Sequence, residues 1–143
     1  MNILIFLIIK LLNILHQKLY KLINNWNYIV SISLTQQFQS FLAAIQSLTV
    51  DIKTKSSKSL SLQRQNLATF IINIENDIKK IPEEHVGIVK VYWRNINSGL
   101  SDFNDCLKQD YNEERKRPLL INYLNSVASQ IKEVLRYLRS NNF

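Results

Sequence analysis

The sequence predicts an all-α protein, a compact antiparallel bundle of about five helices, and three observations predict it. Apolar residues recur at helical spacing along every long segment. No segment keeps the alternation of a half-buried strand, and two Gly and two Pro in 143 residues leave little material for the tight turns of a sheet protein. The length suits one domain, 1–143, with a single core.

The first helix is read from Ile5, Ile8, Leu12, Leu15, Leu19, Leu22, Trp26 and Ile29, which follow alternating steps of three and four. That is a heptad seam, with Lys10, Asn13, Gln17, Lys18, Lys21 and Asn24 largely away from it, and it predicts a helix packed against the rest of the chain. The run Ile3 to Ile9 invites a signal or membrane reading. Its flanks argue otherwise: no Lys or Arg precedes it, no small-residue cleavage site follows, and polar residues fall within the ~20 positions a spanning helix needs. A basic amphipathic helix lying in a membrane interface is the competing expectation.

A break is expected between Asn24 and Ser33, followed by a second helix opened by a capping-box pair, Ser33 and Gln36. Its stripe is Phe38, Leu42, Ile45, Leu48 and Ile52, with Phe41 at the flank, and it fades into a Ser/Lys-rich loop over 53–59. The third helix carries Leu67, Phe70, Ile71, Ile74, Ile78 and Ile81 and ends before Pro82, which cannot continue it. Pro82 can open the fourth, where Glu83 and Glu84 meet the positive end of the helix dipole. The stripe there is Val86, Val89, Trp93, Ile96, Leu100, Phe103 and Leu107, and Gly87 and Gly99 mark a close approach or a kink. Asp110 and Glu113 form another capping-box pair. Pro118 then predicts a fresh start, with a last helix from about Pro118 to Arg139 burying Leu120, Leu124, Val127, Ile131, Val134 or Leu135, and Leu138.

Charge is unevenly placed. The net charge is +7, and residues 1–65 hold seven basic side chains against the single acid Asp51. Such a surface suits phosphates, anionic lipid or an acidic protein face. The lone Cys106 has no partner for a disulfide or a zinc site, which points to a reducing, cytoplasmic compartment.

The groups that catalysis needs are scarce. His16 and His85 have no second histidine one turn on, Asp102 and Asp105 are one turn apart on a face expected to be solvated, and no Gly-rich phosphate loop exists. The Glu-x-x-His pairs of di-iron bundles and the Arg-to-His spacing of helical ribonucleases are both missing. Neither an enzyme nor a cofactor is expected.

Basic groups offer more. Lys53, Lys55, Lys58 and Arg64 share a loop region with serines, Lys90 and Arg94 stand at i, i+4, and Lys132, Arg136 and Arg139 make one stripe at i, i+4, i+7. Arg115, Lys116 and Arg117 form a short cluster. Those intervals can follow a nucleic-acid backbone without reading its bases. The sequence therefore favours a non-catalytic helical subunit of a larger assembly, a nucleoprotein complex, touching nucleic-acid phosphates through these patches. In size, charge and lack of chemistry it resembles the small helical subunits of RNA-guided surveillance complexes, in general character only and without matching motif residues. The alternatives are a membrane-associated protein that inserts its first helix, or an interaction scaffold presenting Tyr92, Tyr111 or Tyr137.

Overall fold

The computed structural model describes residues 2–54 and 60–141, with side chains at all of these except 24–33 and 61–64. Among them, α-helices span Asn2–Thr54 (α1), Ser61–Ile78 (α2), Glu83–Lys108 (α3) and Glu113–Ser140 (α4), and no strand is present. The fold is an all-helical bundle.

α1 joins what the spacing divides into two helices. Its 53 residues contain no Gly or Pro, so nothing stops propagation, and at 1.5 Å per residue it is about 80 Å long. The expected break between Asn24 and Ser33 is absent. Inside a continuous helix each backbone amide already bonds four residues back, so a Ser33 cap has no orphan donor to satisfy.

The lower half of this helix overturns the packed-helix expectation. Ile5, Ile8, Leu12, Leu15, Leu19 and Leu22 are all exposed, Leu22 to 66%, and so is every other described side chain from residue 2 to 23. The seam positions Trp26 and Ile29 lie outside the described side chains. A heptad seam states which face of a helix is apolar, without stating what covers it.

Among the described side chains of α1, Leu34 is the first in the bundle core. Leu34, Phe38, Phe41, Ile45, Leu48 and Ile52 of α1 are fully buried, whereas Leu42 is half-buried, so the stripe is rotated by one position towards Phe41. Phe41 meets Phe70 of α2 at 5.9 Å and Trp93 of α3 at 6.2 Å between ring centroids, while Phe38 meets Trp93 edge-on at 6.0 Å. Three helices are thereby tied by aromatic contacts that add to simple burial. Leu67, Ile74, Ile78 and Ile81 are buried as the spacing predicts. α2 ends at Ile78, a turn follows, and Pro82 precedes the first turn of α3 with Glu83 and Glu84 in it.

α3 and α4 form the most extensive pair, α4 also packs along α1, and α2 packs mainly on α1. Gly99 explains the closeness of the first pair: a Cβ there would stand 2.7 Å from Cγ2 of Val127. Gly87 faces open space instead. The start of α4 differs from expectation. Asn112, not Asp110, is the cap, its side-chain oxygen accepting from the Arg115 amide at 2.9 Å, and α4 runs through Pro118. With Asn112 capping and Glu113 and Glu114 at the dipole's positive end, the first turn and a half forms before proline's missing donor matters.

Candidate functional site

Two features stand outside the packed core. The first is the segment Asn2–Ile23 of α1, which is long and apolar enough to cross a membrane by length and composition, and none of it is buried in the bundle. Its sequence changes character along its length. Residues 3–9 are apolar on every side of the helix. From Lys10 onward the apolar residues gather on one side, through Leu11, Leu12, Leu15, Leu19, Leu22 and Ile23. Lys10, Asn13, Gln17 and Lys21 run at steps of three, four and four along the other side, with His16 and Lys18 at its margins and Ile14 interrupting.

The second feature is a groove between α1 and α4. Gln39 and Leu42 line it with Lys132, Leu135, Arg136, Arg139 and Ser140 around a volume of about 430 Å³. Farther along, Gln46 and Thr49 face Asn125, Ala128, Ser129 and Lys132. Rising numbers on α1 meet falling numbers on α4, so these helices are antiparallel, and Arg136 and Arg139 lie at the end of the bundle where the exposed part of α1 departs. The structure thus brings Lys132, Arg136 and Arg139 together, with Arg136 holding Glu133 in an ion pair at 2.6 Å.

The other described basic candidates do not join them. Lys53 is exposed at the opposite end of α1's bundle segment, and Lys90 and Arg94 are exposed on α3 without lining that groove. Lys55 and Lys58 lie outside the described residues, and so does the side chain of Arg64. The Arg115 to Arg117 cluster has local work. Arg115 stacks 4.0 Å from the centroid of the Tyr111 ring, and the Lys116 ammonium donates to the Leu107 carbonyl at 3.2 Å, closing the negative end of α3.

No protein family, characterised protein or solved structure matches this chain.

The remaining candidates lie elsewhere in the fold. His85 Nδ1 lies 2.7 Å from the Tyr137 hydroxyl, clasping the start of α3 to the end of α4. Tyr92, Tyr111 and Tyr137 are half-buried, not displayed. Cys106 is buried, and burial pushes its thiol up from the ordinary value against the opposing charge of Lys116. Asp102 and Asp105 are exposed, and no cluster of three metal-ligating side chains occurs among the described residues. The apolar run at residues 3–9 is visible in the sequence, where its flanks set it aside in favour of a helix packed in the bundle. The signal was there: a packed helix needs one apolar stripe, and seven consecutive apolar residues supply more than a protein neighbour covers.

Proposed function

We propose that this chain is a non-catalytic helical protein attached to a membrane, with residues 2–23 of α1 in lipid and the bundle held beside it. One observation carries the reading: in a 22-residue apolar segment every side chain is exposed and none is buried against the described bundle. The energetics favour a non-aqueous site. Burying seven Ile, Leu and Phe side chains at 3–9 gains on the order of 10 kcal/mol, at ~1.5 kcal/mol each. The charge pattern supports lipid over a second copy of the same helix. Residues 1–50 contain Lys10, Lys18 and Lys21 and no acid, so paired copies would repel while an anionic membrane would attract.

Flotation of the full chain with lipid vesicles tests the proposal. The protein is expected at the top of the gradient, and an intact mass from that fraction should include residues 2–23. Protein left at the bottom, or a floating species lacking those residues, would overturn it. Soluble oligomers cross-linked through residues 2–23 would replace lipid by self-pairing.

A second reading, contact with a nucleic-acid backbone in a larger assembly, is supported by the convergence of Lys132, Arg136, Arg139 and Gln39 on one groove. Binding to a single-stranded oligonucleotide should then weaken as salt rises, and more so in R136Q/R139Q. No binding at low salt removes it.

A further inference from the structure

We infer that residues 2–23 lie obliquely within one leaflet of an anionic membrane instead of crossing the bilayer, with residues 3–9 among the acyl chains and Lys10, Lys18 and Lys21 on lipid phosphates. This inference rests on the membrane reading above and adds its geometry, its lipid class and the residues that choose it.

Polarity is unevenly placed along the exposed helix. At 1.5 Å per residue, 2–23 measures about 33 Å, enough for a hydrocarbon core of about 30 Å. Length alone therefore permits a crossing. A crossing helix centred on this segment, however, would put Lys10, Asn13, His16 and Gln17 near the bilayer midplane, where unpaired polar and ionised groups are most costly. Among the described residues none buries them, since every side chain from residue 2 to 23 is exposed.

A single-leaflet placement removes the conflict. The seven all-apolar residues 3–9 occupy about 10 Å, less than the roughly 15 Å of one leaflet's acyl layer. Beyond Lys10 the helix divides lengthwise. Leu12, Leu15, Leu19 and Leu22 on one side suit the acyl boundary, and Lys10, Gln17 and Lys21 on the other suit the headgroups. A straight helix satisfies both parts when inclined, its tip deeper than its stem. Lys18, at the margin of the apolar side, extends its ammonium to the headgroups while its methylenes stay in the apolar layer. With no acid among these residues, the phosphates of anionic lipids are the natural counter-charges.

The test uses the full chain with two vesicle types, phosphatidylcholine alone and a mixture containing phosphatidylglycerol. Binding should be stronger on the anionic vesicles and fall with added salt. K10Q/K18Q/K21Q should lose that preference, by on the order of a hundredfold in partitioning if each lysine contributes as a typical interfacial one does, while keeping weak apolar binding. Depth is read with N2C, labelled by a membrane-impermeant maleimide confined to the vesicle lumen, the wild type giving the background from buried Cys106. No luminal labelling is expected. Luminal labelling would overturn the single-leaflet geometry, and equal binding of wild type and triple variant to anionic vesicles would overturn the phosphate contacts. Failure to bind either vesicle type would instead strike the membrane reading itself.

Discussion

A methyl group added at residue 99 would press into Val127, a buried and β-branched side chain with little rotamer freedom to yield. Gly99→Ala should therefore cost about 1–3 kcal/mol in urea unfolding. The same change at Gly87 meets open space, and its helical backbone should gain about 0.5–1 kcal/mol from the reduced entropy of the unfolded chain. If both variants moved the midpoint alike, the close α3–α4 approach would be wrong. Cys106 makes a different prediction. Its folded-state thiol titrates above the unfolded one, so the folded state holds the proton more tightly. That stability is complete below the unfolded thiol pKa, about 8.5, and is lost as pH rises through the higher folded value. Between pH 7 and 10 the wild type should lose more stability than Cys106→Ala. Parallel decline of the two would remove the effect.

At the scale of the helix, the exposed half of α1 gives a clean contrast between stability and attachment. Replacing Leu12, Leu15 and Leu19 together by Ser should leave lipid-free unfolding within about 0.5 kcal/mol of wild type, because all three side chains are exposed. Vesicle binding should weaken, with residues 3–9 and the three lysines still in place. A large drop in stability would show that the leucines pack internally after all. Periodicity made the all-helical class and most of the core legible: Ile74, Trp93, Ile96, Leu124 and Ile131 are buried where the spacing places them. It could not tell which apolar face has a protein neighbour, and so it put Leu12 and Leu15 inside. It also over-read weak breakers. Asn24, Ser33 and Pro118 each signal a boundary, yet Gly- and Pro-free chain carries α1 past the first two, and the Asn112 cap starts α4 before the third. Of the basic candidates, the α4 stripe and the Lys90–Arg94 pair were legible as groups, since one helix face fixes its members relative to one another. How residues on separate elements lie depends on tertiary placement.

Across the whole molecule, the proposed attachment to lipid and any polyanion contact would use different parts of the chain. The exposed segment of α1 carries Lys10, Lys18 and Lys21, whereas Lys132, Arg136 and Arg139 belong to the bundle's α1–α4 groove. The uneven support of the helices has its own consequence. α2 has a firm neighbour in α1, but its side towards α3 opens into a cleft of about 420 Å³ lined by Leu67, Ala68, Ile71, Leu100 and Phe103. It resembles a flap stitched along a single edge. Amide deuteration under native conditions should reach the middle of α2 well before the middle of α4, which is gripped from both sides. The bundle would then loosen by peeling back that one helix, wetting Phe70 and Trp93 first, while α3 and α4 stay clasped around Val127.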